Sequence, residues 1–280
     1  MSDTVAASEG LVFPRETMDI RVKIAFRMVQ WCTLAALTWK LGAFIEIVKC
    51  YYRLPLYQEF FPSLLQSPTL LAVTYIVMVA ALAITALTNV RVLRIIAAAV
   101  VWISATIACL HQGSHNDMTF ATAWWTSLWS LWLACQMERK PGVDPELQLR
   151  RAALLSRCIV SMILLGGAVG KWTSEYWSGQ VLYEIYFIDR DFWVFNRLRE
   201  SFDQEGLRTV AMWYSRKVIV VETLCGFGLW MLPPRWAAGI AVTVLTSIAL
   251  FSNFNLFSVL LSLIGLAATG FFVPGRPRTP

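Results

Sequence analysis

Apolar residues in this chain recur in blocks of about 20, the length a helix needs to cross a hydrocarbon core of ~30 Å. The pattern predicts spans at Ile24–Val48, Thr69–Thr88, Leu93–Leu110, Met118–Met137, Ala152–Trp172 and Ala211–Met231. Pro233 and Pro234 stop the sixth, because proline cannot continue a helix. The apolar stretch Trp236–Val273 is too long for one span. The polar turn formers Ser252-Asn253-Phe254-Asn255 divide it into two, with a single tilted helix as the alternative. The expected fold class is all-α: a polytopic transmembrane helix bundle of about eight spans.

The polar segments set the orientation. Arg15, Arg21 and Lys23 precede the first span, Arg91 and Arg94 join the second to the third, and Arg139, Lys140, Arg150 and Arg151 follow the fourth. Arg235, Arg276 and Arg278 complete that set. The alternate connections hold His111, His115 and Asp117, then the acid-rich stretch from Glu175 to Glu205. By the positive-inside rule eight spans place both termini in the cytoplasm, whereas seven would put the Arg276 and Arg278 tail outside. The organisation expected is a polar cytoplasmic tail at 1–23, a membrane bundle at 24–273 and a short cytoplasmic tail at 274–280. The bundle includes an outer interfacial segment at 173–209, with room for one or two helices. Residues 1–23 lack the apolar core of a signal peptide, so the first span is expected to be its own insertion signal. An integral protein of the bacterial inner (plasma) membrane is the expected location.

Composition sharpens this in two places. Hydrophobic residues make up 57% of the 280 and charged ones 15%, with a mean hydropathy of +0.57. The net charge of +6 does not point to nucleic acid, because the basic residues sit at span ends. None of the six cysteines falls in a CxxC or zinc-like spacing. They read as small apolar residues, with a Cys50–Cys109 disulfide as an alternative.

Charges at membrane depth usually have a task. Lys40, Glu46, His111, His115, Asp117 and Lys171 all fall toward the outer ends of their spans. Lys40 and Glu46 are six apart, so they do not share a helix face; snorkelling to the headgroups is the plain reading of Lys40. His111 and His115 would share a face if helical. With Asp117 they suggest a metal only weakly, and helix capping by Asn116 or Ser114 is preferred. Lys171 ends the fifth span in Gly166-Gly167-Ala168-Val169-Gly170-Lys171-Trp172, where small residues admit close helix approach. Desolvation there would make the lysine a base, with interfacial snorkelling as the plain alternative. Glu222, in mid-span, should face the bundle interior and be protonated or paired.

Gly167-Ala168-Val169-Gly170-Lys171, followed by Trp177, Gly179 and Leu182-Tyr183, resembles the glycine–lysine and Trp-x-x-Gly signature of the vitamin K-dependent γ-carboxylase / HTTM (horizontally transferred transmembrane) family. Gly113-Ser114-His115-Asn116 is similar to that family's asparagine–histidine segment. Glu222 and Phe254-Asn255-Leu256-Phe257 resemble its late glutamate and Phe-Asn-Leu-Phe stretch. The resemblance covers residues 20–272. It implies Lys171 as a base toward a quinone-like lipid-soluble molecule, His115 as its helper, and chemistry on the outer face. Catalytic candidates are thus Lys171, His115 and Glu222; substrate-binding candidates are Lys40, Glu46, His111, Asn116 and Trp177. The family's peptide substrate is held by a large extramembrane portion, and no soluble stretch here is long enough to be one. Carboxylation of protein glutamates is therefore not expected.

Two other functions fit the pattern. A non-catalytic subunit of a larger membrane complex would pack through the fourth span, with Trp124, Trp125, Trp129 and Trp132. A transporter would use the interruption at Ser252–Asn255 as a broken helix, although no second interruption matches it.

Overall fold

A computed structural model describes residues 15–54, 62–111, 118–137, 144–188, 190–251 and 254–275. Among these every regular element is helical. In chain order they are α1 (Arg15–Arg53), α2 (Pro68–Leu87), α3 (Arg91–Leu110), α4 (Met118–Met137), α5 (Pro145–Val169), α6 (Ser174–Trp177), α7 (Gln180–Leu182), α8 (Trp193–Ser201), α9 (Gln204–Met231), α10 (Pro234–Phe251) and α11 (Phe254–Ala268). A π-helical turn, Tyr183–Phe187, follows α7.

Among the described residues four helical segments are long and apolar enough to cross a membrane: Glu16–Arg53, Pro68–Leu87, Arg91–Leu110 and Pro145–Val169. This makes the chain an integral membrane protein. The other predicted spans are less apolar or shorter. Serine and threonine dilute α4, Arg208, Arg216, Lys217 and Glu222 interrupt α9, and α10 and α11 have 18 and 15 residues. Helix ends also move. α1 begins at Arg15 rather than Ile24, because Met18 and Val22 are already buried on its core face. α5 runs from Pro145 rather than Ala152 and stops at Val169, so Lys171 lies in the turn beyond it.

The chain forms two compact units, Met1–Arg157 with Pro233–Pro280, and Cys158–Leu232. In the first, α2 and α3 make a tight hairpin. Ser67 caps α2 by accepting from the Leu70 N–H, and Pro68 takes the first helical position, where a missing N–H costs nothing. Asn89 in the connecting turn accepts from Arg27 of α1 at 2.5 Å, while its carbonyl accepts from Arg94 at 3.2 Å. Phe44, Tyr75 and Phe120 interlock α1, α2 and α4, Phe44 and Tyr75 stacking at 3.9 Å.

Between helices in lipid, hydrogen bonds and close packing take the place of hydrophobic driving force. Gln30 of α1 donates to Ser130 of α4 at 2.6 Å, and Thr119 of α4 shares a 2.8 Å hydrogen bond with Ser258 of α11. Trp129 donates to the Ala152 carbonyl and Trp124 to Thr106, both at 3.0 Å. Two of the four indoles of α4 are thus engaged inside this unit.

α10 and α11 return on each other as an antiparallel hairpin: Arg235, at the start of α10, donates to the Val273 carbonyl beyond the end of α11 at 2.8 Å. The single tilted helix is therefore replaced by two; Ser252 and Asn253, at the interruption a transporter would use, lie outside the described residues. None of the six cysteines is in a disulfide, so Cys50 and Cys109 are not bridged. Gly265 of α11 meets α1 so closely that a Cβ would lie 2.6 Å from the Cys32 Cβ, whereas a Cβ on Gly42 meets nothing within 4 Å. Gly265→Val is accordingly expected to destabilise by about 2 kcal/mol, and Gly42→Ala to be neutral or stabilising. Thermal unfolding in detergent, followed by tryptophan fluorescence, checks both; equal midpoints would show that this close approach contributes nothing.

Candidate functional site

The second unit is built on an antiparallel pair. Ser161 of α5 donates to the Gly226 carbonyl of α9 at 2.5 Å and accepts from Trp230 at 2.8 Å. A Cβ on Gly226 would fall 2.5 Å from Leu165 Cγ. Farther along, Lys171 meets Glu222, and Ser215 donates to the Tyr176 carbonyl. As one partner's number rises the other's falls, the signature of two antiparallel segments held in register. The small residue that admits the close approach is Gly226. The sequence pattern had pointed to the Gly166–Gly170 wall, but a Cβ on Gly166 meets nothing within 4 Å.

At the centre of this register Lys171 Nζ lies 2.6 Å from Glu222 Oε2 and 3.4 Å from the Gly167 carbonyl. The carboxylate side chain is 8% exposed and the lysine 25%. Such a pair forms because a lone carboxylate in a low-dielectric interior is costly, and a well-placed ammonium offsets that cost. Gly167 lies directly beneath the pair: a Cβ there would meet both Glu222 Oε2 and Lys171 Nζ at 3.5 Å, an ordinary van der Waals contact. The expectation that Glu222 faces inward and is paired names its partner here, the residue singled out as the base.

The turn after α5 places aromatic groups beside the lysine. Thr173 caps α6 by accepting from the Tyr176 N–H. Trp172 and Trp177 stack with centroids 5.3 Å apart and planes 20° from parallel. Arg216 lies over both Trp177 and Trp213, at 5.4 and 5.5 Å, and donates to the Trp177 carbonyl at 3.1 Å. Trp177 is therefore held between neighbours, while Trp172, 56% exposed, offers the open ring. Burial, then the charges of Tyr186 and Glu222, hold the Tyr176 phenol above its usual range, which keeps it protonated. Trp172, Tyr176 and Arg216 were not among the sequence candidates. The signal that finds them is the antiparallel register, which no single segment contains.

The remaining described candidates belong to the first unit. Lys40 is 6% exposed within the first unit, so its side chain is buried rather than snorkelling. Glu46 is exposed and pairs with Lys49 at 2.7 Å, one helical turn away. His111 closes α3 and is buried in the first unit. His115, Asn116, Ser114 and Asp117 lie outside the described residues. Among the described residues no group of three His, Cys, Asp or Glu side chains comes together as a metal site would require. No model of a known protein family, no curated protein and no solved structure matches this chain.

Proposed function

We propose that this chain is an HTTM-like protein of eight spans with both termini in the cytoplasm of the bacterial inner membrane. Its second unit binds a quinone-like lipid-soluble molecule and exchanges a proton with it through Lys171. The single observation that carries the reading is the 2.6 Å contact between Lys171 Nζ and Glu222 Oε2. The glycine–lysine resemblance and the positive-inside charge pattern support it independently.

The chemistry follows from that contact. A proton moving from the ammonium to the carboxylate turns an ion pair into an amine and a carboxylic acid, with no net charge in either state. The amine can then take the hydroxyl proton of a quinol-like substrate. The oxyanion left behind faces the re-formed ammonium of Lys171, which stabilises charge where it develops. The Tyr176 phenol, kept protonated, is a hydrogen-bond donor for the same oxygen. The open ring of Trp172 gives a planar substrate a surface on which to stack.

Purification in mild detergent with mass spectrometry of bound small molecules tests this. Wild type should retain a quinone-like lipid, Lys171→Met should lose it, and Tyr176→Phe should weaken retention by about tenfold, the worth of one hydrogen bond to a charged oxygen. An empty wild-type protein with a stoichiometric protein partner would favour the non-catalytic subunit instead. That alternative draws less support from α4, whose Trp124 and Trp129 N–H groups are satisfied within the first unit.

A further inference from the structure

Between α6 and the start of α9 the second unit contains an open cavity of about 500 Å³. Its polar lining is Ser178, Gln180, Tyr183, Glu184, Gln204 and Arg208. None of the residues proposed for proton exchange takes part in it. The size matches cavities that hold small ligands.

The lining carries one cation and one anion, both exposed. The Arg208 guanidinium lies over the Tyr183 ring, 5.4 Å from its centroid, and makes no ion pair among the described residues. Glu184 accepts from Gln180 Nε2 at 3.1 Å and likewise has no cation partner among them. One cation and one anion thus line the same space without meeting.

The walls are fixed from below. Phe187, Phe195, Leu207 and Ala211 form a small apolar core, and Leu207 and Phe187 hold the strands of chain that carry Arg208 and Glu184. Tyr183 and Glu184 sit on the π turn, closed by the Ile188 N–H donating to the Tyr183 carbonyl at 3.2 Å. Such turns are less stable than α-helix and recur at functional positions. At the other wall Gly179 adopts φ +82° and presses on the Met212 backbone.

We infer that this cavity binds a zwitterionic group, presenting its anionic end to Arg208 and a primary ammonium to Glu184. A simple anion would be opposed by Glu184 and a simple cation by Arg208. A quaternary ammonium could not donate a hydrogen bond to the carboxylate. The same chemistry is found in an aminophospholipid headgroup and in soluble phosphoethanolamine, and the test separates the two sources.

The protein is purified in micelles doped with equal amounts of phosphatidylethanolamine, phosphatidylcholine and phosphatidylglycerol, and retained lipid is read by native mass spectrometry. Wild type should retain phosphatidylethanolamine preferentially. Arg208→Gln should lower retention by about tenfold, the factor carried by one charge-assisted contact. Glu184→Gln should erase the preference for phosphatidylethanolamine over phosphatidylcholine. If Arg208→Gln unfolds the protein, Arg208→Lys keeps the charge without the bidentate fork and should give a smaller loss. Displacement of the lipid by soluble phosphoethanolamine, or binding of that probe without lipid preference, identifies the soluble source; preferential retention without displacement identifies the headgroup. Equal retention of all three lipids with no phosphoethanolamine binding, or a wild-type preference unchanged in both variants, overturns the inference.

Discussion

Lys171→Met is expected to destabilise the protein by about 3 kcal/mol, and Glu222→Leu by a similar amount, while the double variant returns close to wild type. The reason is the asymmetry of buried charge. With both partners present, each offsets the other's desolvation across 2.6 Å. With one removed, the survivor stays in a poorly solvated place with nothing of opposite sign. Glu222 is the more enclosed, so loss of Lys171 should be the more damaging single change. With both replaced by apolar side chains of similar volume, there is no charge to desolvate and the packing between α5 and α9 is kept. Chemical unfolding in detergent, followed by tryptophan fluorescence, gives the cycle. Costs that simply add would mean each group is solvated on its own, and proton transfer between them would lose its basis. The double variant also separates fold from function: it should be stable and retain no quinone-like ligand.

Gly179→Ala is expected to cost about 3–5 kcal/mol, a loss of the size that only a backbone clash or a buried defect produces. Two effects add. At φ +82° an L side chain crowds its own carbonyl, which costs about 1 kcal/mol. The new Cβ would also lie 2.4 Å from the Met212 Cα and N, and 2.7 Å from the Ala211 carbonyl carbon. Those are backbone atoms of α9 and cannot swing aside as a side-chain tip would. Segment 173–203 must then lift from α9, which strains the Ser215 bond to the Tyr176 carbonyl and the Arg216 bond to the Trp177 carbonyl. Limited proteolysis should show new cleavage in that segment, alongside a lowered unfolding midpoint. Gly166→Ala, with nothing within 4 Å of the new Cβ, is the control. A Gly179→Ala protein as stable and as protease-resistant as that control would show that the close contact is not maintained.

Much of the architecture was legible because lipid is a demanding solvent. A helix there must satisfy its own backbone and present apolar side chains, so span positions follow from composition alone. α2, one of the membrane-length helices, falls within a residue of the predicted Thr69–Thr88, and the predicted Met118–Met137 is helical although too dilute to count with them. Boundaries failed where tertiary contact rather than lipid covers the chain. Residues 15–23 read as polar tail, yet Met18 and Val22 are buried against the bundle. In the segment 173–209 the apolar residues are too scattered to show that Phe187, Phe195 and Leu207 close a small core with Ala211.

The candidate site divides the same way. Lys171 and Glu222 stood out because ionisable groups are rare and expensive in apolar segments. Their type and depth could be read from the chain, and so could the need of each for a partner. That each is the other's partner could not, because 51 residues separate them and only the packing of α5 on α9 brings them to 2.6 Å. Lys40 and Glu46 looked alike in the sequence, yet one is buried and the other exposed, because helix rotation is set by the neighbours rather than by hydropathy. The sequence by itself determined an all-helical membrane protein and the short set of charges worth watching, since burial cost is a property of each residue. Which charges meet, which rings stay open and which glycines are irreplaceable was decided only by tertiary structure, since those are properties of pairs.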